Sequence, residues 1–212
     1  MARIPTTVQA AYTPNPEAIK FIVNNYIMDP GATAEFESAE EAIGKSKLAT
    51  ELFQFPYVSR VFIAGNFVTV TKNNSAHWDF VLTEIRDFIR NFISEGNMAV
   101  YELPENKPYK PHGLVDGAEG VNEPSELDSQ IRSLMKQYVT PTVAQDGGEI
   151  IFLNFKNGVV TVRLKGACHQ CPASNNTLKN GIEKILKKHL PEVIEVVAED
   201  GFQRETECHH GE

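Results

Sequence analysis

The stretch Lys165-Gly166-Ala167-Cys168-His169-Gln170-Cys171-Pro172-Ala173-Ser174 lies between a β-rich run and an amphipathic helical pattern. Gly166 permits a sharp exit from a strand, and Pro172 suits the first turn of a helix. The two residues between Cys168 and Cys171 let both sulfurs reach one metal ion from a single turn. A helix N-terminus favours thiolate over thiol at such positions. The stretch therefore predicts a strand–loop–helix unit that carries two metal-binding or redox-active thiols.

The segment around this loop, residues 125–200, predicts elements in the order α-β-β-α-β. Ser125 precedes an amphipathic helical pattern, and Lys156-Asn157-Gly158 separates two alternating strands as a hairpin turn. Asp146-Gly147-Gly148 is a turn signal, in which we expect the aspartate to shape the turn and both glycines to adopt positive φ. Because the pattern combines helices with an antiparallel hairpin, it predicts a small α+β domain.

Proline and glycine are dense between residues 96 and 124, which predicts a semi-extended linker. This linker divides the chain into an N-terminal domain at 1–95 and a C-terminal domain at 125–200, followed by a mobile polar tail at 201–212. We therefore expect two small α/β-sandwich-like domains rather than one large core.

The first segment also reads as α+β. Val58–Ile63 and Phe67–Thr71 are β-rich runs joined by a short turn, which predicts a hairpin. A helical pattern runs from Ser38 to Phe53, and another begins near Trp78 with apolar residues at 3/4 spacing. Trp78 and the phenylalanines of this segment are expected in the core.

Composition excludes several classes of protein. The 212 residues carry a formal charge of −8, which argues against a nucleic-acid-binding face, and no apolar run approaches the ~20 residues that span a bilayer. The sequence contains no nucleophile-elbow, P-loop, dinucleotide or zinc-protease motif, so none of these enzyme classes is indicated. The first residues resemble neither a secretory signal nor an organelle presequence, and we expect a cytoplasmic protein.

The cysteine count limits what one chain can bind. The sequence has three cysteines, of which Cys168 and Cys171 form one C-x-x-C pair. Iron–sulfur clusters generally take four thiolates, so an iron–sulfur site would need two copies of the chain. A thiol–disulfide oxidoreductase and a structural zinc half-site that bridges a dimer are the functional alternatives. The remaining alternative is a pair of thiols that binds no ligand.

Neighbouring polar residues are given structural interpretations. His169 is expected to be a solvent-exposed spacer, and Lys165 either raises thiolate character or is a solvated strand end. The group Cys208-His209-His210 could bind metal or donate a third thiolate, but we expect it to be part of a tail without function.

At this point the residues resemble a known family. Three stretches are similar, in order, to the C-terminal domain of NifU, which is found in Nfu-type iron–sulfur cluster carriers: Asp146–Glu149, Gly166–Ser174 and Thr177–Glu183. The first segment resembles the N-terminal Nfu domain through a further set: Thr13–Pro16, Leu52-Phe53, Val61–Ile63, Phe67–Thr71 and Trp78. The resemblance covers most of the chain.

The resemblance implies a carrier rather than an enzyme. Members of the family hold a labile [4Fe–4S] cluster between two protomers and pass it to client apo-proteins. On this chain the ligands would be Cys168 and Cys171, the partners would be a second copy, an upstream assembly scaffold and the clients, and the N-terminal domain would be an interaction module.

Overall fold

The computed structural model describes residues 5–105, 125–169, 171 and 177–199. They form two units, and each has its own sheet and its own hydrophobic core. Both units mix helices with an antiparallel hairpin, so the α+β fold class predicted from the sequence is confirmed. Within these ranges no helix is both long enough and apolar enough to cross a bilayer.

The first unit is built on a five-stranded sheet with the spatial order β1-β2-β5-β4-β3, in which all neighbours are antiparallel. Its strands are β1 (Val8–Tyr12), β2 (Ala18–Val23), β3 (Thr33–Phe36), β4 (Val58–Ala64) and β5 (Phe67–Lys72). The predicted hairpin is β4–β5, and its turn contains Gly65 at a φ of 45°.

Three helices belong to this unit: α1 (Ala39–Ala42), α2 (Lys47–Leu52) and α3 (Trp78–Ser94). The single helical stretch predicted from Ser38 onwards is divided in two. Gly44 adopts a φ of 78°, and the Ser46 hydroxyl accepts a hydrogen bond from the amide of Ala49 as the cap of a new helix. A local side-chain cap therefore interrupts a pattern that is helical on both sides.

The core of the first unit lies between one face of the sheet and helix α3. Trp78 is 5% exposed, and its ring lies 6.3 Å from that of Phe21 on β2. The expectation that all phenylalanines of this segment are buried is wrong for Phe80, which is 84% exposed. Its position between Trp78 and Val81 puts it on the far side of the helix, because apolar contacts recur every three or four residues.

The second unit pairs a three-stranded sheet, in the order β6-β7-β8, with helices. The elements are α4 (Glu126–Leu134), a π-helical turn (Met135–Val139), α5 (Thr140–Gln145), β6 (Gly148–Lys156), β7 (Val159–Gly166), α6 (Thr177–His189) and β8 (Glu195–Ala198). Strands β6 and β7 are antiparallel, and β8 lies parallel to β7. This is the predicted α-β-β-α-β order.

The helical segment before β6 contains a π-helical turn next to Pro141. Proline has no amide hydrogen and cannot donate to the carbonyl four residues earlier, so the regular helical hydrogen-bond ladder is interrupted there. The Thr140 hydroxyl donates to the carbonyl of Met135 across the interruption, at 3.2 Å.

The first residues of the predicted linker pack on the first unit. Ala99 is 1% exposed, and its carbonyl accepts a 2.7 Å hydrogen bond from the Ser46 hydroxyl. The amide of Tyr101 donates to the carbonyl of Lys45. The rest of the linker and the predicted tail, including Cys208, His209 and His210, lie outside the described residues.

Candidate functional site

Cys168 and Cys171 follow the last residue of β7, and both are free thiols. A short turn forms there, because the amide of His169 donates to the carbonyl of Gly166. Both thiols are buried, since Cys168 is 6% exposed and Cys171 is 1% exposed. The described part of α6 begins at Thr177, so the structure does not place these thiols at the first described turn of that helix.

Three glycines let the turn before β6 and the cysteine turn lie against each other. Gly147 and Gly166 adopt positive φ, at 82° and 64°. The prediction of a positive φ is wrong for Gly148. Glycine is required at this position because neighbouring atoms leave no room for a side chain. A β-carbon on Gly148 would lie 2.7 Å from Cys168 Sγ and 2.7 Å from the carbonyl oxygen of Lys165.

Burial keeps the Cys168 thiol protonated. Loss of hydration raises the pKa of Cys168 to about 12, and the negative charges of Asp146 and Cys171 add to this effect. This is opposite to the thiolate stabilisation that the sequence analysis expects, and a low thiol pKa is the property that a disulfide oxidoreductase needs.

We expect Cys168 to react slowly with iodoacetamide. A rise of the thiol pKa from 9.0 to about 12 lowers the thiolate fraction at pH 8 about a thousandfold. Because the folded chain favours the protonated thiol, Cys168 contributes a stability that is fully present below about pH 9. This contribution is lost as the pH rises towards 12. Tandem mass spectrometry that distinguishes Cys168 from Cys171 within their shared tryptic peptide should therefore show Cys168 labelling that increases about tenfold per pH unit between 8 and 10. Equal rates for folded and urea-unfolded protein at pH 8 would contradict it.

The polar residues around the cysteines are held more tightly than the sequence suggests. His169 is half-buried, with Nδ1 3.4 Å from the carbonyl oxygen of Leu164, so it is not a solvent-exposed spacer. The Lys165 side chain is 12% exposed and pairs with Glu149 at 3.8 Å, so it is not a solvated strand end. Asp146 caps the C-terminal end of α5, as expected of a turn residue.

An apolar cavity of about 280 Å³ adjoins both cysteines. Its walls include Tyr138 and Val139 of the π-helical turn, Ile182 of α6, and Pro14 of the first unit. Among the residues that the structure describes, no group of three or more His, Cys, Asp or Glu side chains is placed to hold a metal ion. Within that part of the chain the two cysteines are the thiol ligands at hand.

Side chains of the first unit reach the backbone of the cysteine turn and of the neighbouring glycine turn. Asn15 Nδ2 donates to the carbonyl of Ala167 at 3.0 Å, and the Thr69 hydroxyl donates to the carbonyl of Gly147 at 2.7 Å. Glu35 accepts from the amide of Gly166 at 2.8 Å, and Lys20 Nζ donates to the carbonyl of Ala144 at 2.8 Å. Sequence reasoning missed these four residues, because contacts over 78 to 152 positions leave no local signal.

Two of these contacts bury charge. Burial raises the pKa of Glu35, against which Arg60 at 3.5 Å and the amide of Gly166 act to keep the carboxylate charged. Burial likewise lowers the pKa of Lys20, while Asp146 raises it. These charges lose hydration and gain partners from the opposite unit, so the contact between the units depends on complementary polar groups.

Comparison with known families decides where this arrangement belongs. Residues 8–96 match the family model described as "Scaffold protein Nfu/NifU N terminal", and residues 131–197 match the "NifU-like domain". The chain belongs to the Nfu family. Cys168, Cys171 and the glycine turn all lie inside the second match, which confirms the resemblance drawn from the sequence.

Several relatives of this Nfu-family chain are named "NFU1 iron-sulfur cluster scaffold homolog, mitochondrial". Those of Drosophila virilis and Drosophila persimilis are each 33% identical over 91% of this chain, and that of Drosophila grimshawi is 31% identical over 93%. The chain spans 62% to 66% of the length of these three relatives. Their names describe scaffolds, in agreement with the expectation of a carrier rather than an enzyme.

Solved structures give partial likenesses. A NifU-like protein from Saccharomyces cerevisiae is 27% identical with a TM-score of 0.40, over 47% of this chain and 87% of that chain. A Staphylococcus aureus protein is 17% identical with a TM-score of 0.34, over 39% of this chain and 98% of that one.

The expected cytoplasmic location is wrong. The names of the Drosophila relatives state that those proteins are mitochondrial. The expectation depends on the composition of the first residues, and that composition does not identify the compartment of a protein.

Proposed function

We propose that this chain is an iron–sulfur cluster scaffold and carrier in which Cys168 and Cys171 supply two thiolate ligands. The observation that supports this is a pair of free thiols on one turn, inside the NifU-like match of a chain with three cysteines. The names of the relatives give the same role to those proteins and give mitochondria as their compartment, which we propose for this chain as well.

The donor set suits a cluster that is shared between two chains. A [4Fe–4S] cluster takes four thiolates, and this turn offers two. A second copy supplies the other two, so binding of one cluster joins two protomers. Thiolates are soft ligands that suit iron–sulfur clusters. Formation of the metal–thiolate bonds supplies the free energy that releases the Cys168 proton to solvent despite the raised pKa of this thiol.

Carrier function requires release as well as binding. Two ligands per chain leave the cluster open to ligand exchange, in which thiolates of an apo-protein replace those of the carrier one at a time. The partners of this role are an upstream assembly scaffold that supplies the cluster and client apo-proteins that receive it. The raised pKa of Cys168 favours this role over a thiol–disulfide oxidoreductase.

Anaerobic reconstitution with iron, sulfide and thiol tests the proposal. We expect a brown dimer with about one four-iron cluster per two chains, because four thiolates are needed. Replacing either Cys168 or Cys171 with serine should abolish the chromophore, since it removes two of the four ligands of a symmetric dimer. Iron and sulfide analysis combined with native mass spectrometry gives the stoichiometry.

The matched control is Cys208→Ser, which should retain the cluster of the unmodified chain. If Cys208→Ser is as damaging as Cys168→Ser, the ligand assignment is wrong. A colourless dimer with one zinc ion, or a full cluster within a monomer, would overturn the proposal.

A further inference from the structure

The first sheet has an outer face, opposite helix α3, that packs on the second unit. We define this outer face by Lys20, Glu35, Phe62, Phe67 and Thr69, which alternate along their strands with core residues. In a sheet with helices on one side, such a face is ordinarily wet. Here Phe62 and Thr69 are each 1% exposed, so the face is dry.

The apolar part of the outer face is a small cluster of its own. Phe62, Ala64 and Phe67 are buried together and separately from the main core, with Ile22 packed against them. The rings of Phe62 and Phe67 lie 6.0 Å apart, and Lys20 Nζ lies 4.1 Å from the Phe67 centroid. Exposure of these aromatic side chains to water is unfavourable, so burial against the second unit stabilises the contact.

The fit to the two glycine turns is close. A β-carbon on Gly166 would lie 3.0 Å from Phe62 Cδ1, and one on Gly147 would lie 2.9 Å from Thr69 Oγ1. The absence of side chains at these two positions therefore lets backbone of the second unit approach strands β4 and β5. A further hydrogen bond, from the Thr33 hydroxyl to Glu149 at 2.8 Å, lies at the edge of the same contact.

The contact reaches the cysteines themselves. Asn15 is 4% exposed and holds the carbonyl of Ala167, the residue directly before Cys168. Pro14 borders the cavity onto which Cys168 and Cys171 open. A partner chain's cysteines must come within one cluster's width of this pair, because metal–thiolate bonds are about 2.3 Å long. Pro14 therefore lies beside the space that a partner chain's cysteines would have to enter.

We propose that the outer face binds the cysteine turn of its own chain in the cluster-free protein, and that this docked form must open before two chains can share a cluster. The opening step rests on the proposed function, whereas the docking of the cysteine turn is independent of it. The first unit thus protects the thiols of the empty carrier and yields to a second copy when a cluster is delivered.

Docking of this kind lowers the apparent affinity for a cluster. When the open form is a fraction of the population, the observed dissociation constant is the intrinsic one divided by that fraction. A docked form favoured about tenfold would slow or weaken loading about tenfold, and a variant that cannot dock would recover that factor.

The test variant is Thr69→Arg in the full chain. Thr69 packs against the other unit rather than in the core of its own, so a long charged side chain there should separate the units without unfolding the first one. The matched control is Thr83→Arg, at an exposed position on helix α3 behind the opposite face. Circular dichroism and a melting curve establish that both variants are folded.

Small-angle X-ray scattering of the cluster-free monomers reports docking without any cluster. We expect a larger radius of gyration for Thr69→Arg than for the unmodified chain, and no change for Thr83→Arg. An equal radius for all three proteins overturns the proposal, whatever they bind.

The rate of cluster loading tests the second half of the proposal, namely that the docked form must open before two chains share a cluster. With limiting iron and sulfide, we expect Thr69→Arg to gain its chromophore about tenfold faster than the other two proteins. Expansion without faster loading overturns the protective role. Expansion in a protein that binds no cluster in any form overturns the proposed function and leaves docking intact.

Lys20→Glu is a second variant in case Thr69→Arg does not fold. It replaces the ammonium that donates to Ala144 and Gln145 with a carboxylate facing the same carbonyls and Asp146. The same expansion and faster loading are expected, and an unchanged radius of gyration overturns docking.

Discussion

Replacing Phe21 with alanine is expected to lower the free energy of unfolding of the first unit by about 3–5 kcal/mol, which is a large part of the stability of so small a domain. Phe21 is 0% exposed in the centre of β2 and is among the largest fully buried side chains. Its removal leaves a cavity between the sheet and helix α3, because the neighbouring strands hold the backbone in place.

The chain carries its own probe for this measurement. Its single tryptophan, Trp78, lies 6.3 Å from Phe21 by ring centroid, so urea unfolding followed by tryptophan fluorescence reports on this core. Phe80→Ala is the matched control, since its side chain is 84% exposed and its loss should change stability by less than about 0.5 kcal/mol. Similar losses for the two variants would mean that β2 is not the core strand described above.

Gly148→Ala is expected to destabilise the second unit by about 1–3 kcal/mol and to impair cluster binding, although it adds one methyl group. The new carbon would lie 2.7 Å from both Cys168 Sγ and the carbonyl oxygen of Lys165. The carbonyl belongs to β7, which is paired with β6 at this position and cannot withdraw without breaking the ladder. The cysteine must therefore move.

Gly181→Ala is the matched control within the same unit. Gly181 lies in helix α6 with nothing within 4 Å of its would-be β-carbon, and alanine is the better helix former by about 1 kcal/mol. Urea unfolding followed by circular dichroism should show opposite signs for the two substitutions, and reconstitution should show loss of iron for Gly148→Ala alone. A Gly148→Ala protein of ordinary stability and full iron content would refute the packing described here.

The fold could be predicted from sequence where local patterns decide it. The hairpin β4–β5, the cap at Ser125 and the core position of Trp78 follow from alternation, capping and helical spacing. The division of the first helical stretch depends on the positive φ of Gly44 and on the Ser46 cap, and the pattern of apolar residues, which is helical on both sides, does not reveal it. The prediction fails for Phe80 because it depends on composition, whereas helical phase places this residue on the exposed side of α3.

The cysteine pair can be recognised in the sequence, but its surroundings cannot. The C-x-x-C spacing and the flanking glycine mark Cys168 and Cys171 as candidates without any structure. Their burial and the raised pKa of Cys168 result from packing, which spacing does not encode. Asn15 and Glu35 reach this turn from more than 130 positions away, and neither has a local motif that indicates a contact.

The four side chains that hold the turn residues bind main-chain atoms, namely the carbonyls of Ala144, Gly147 and Ala167 and the amide of Gly166. Because every amino acid has a backbone carbonyl, substitutions at Ala144 and Ala167 during evolution would not remove the acceptors of these hydrogen bonds. Coupling between the domains would therefore leave little covariation in related sequences. Its trace would be persistence of glycine at position 147, where a β-carbon would lie 2.9 Å from Thr69 Oγ1 of the first unit.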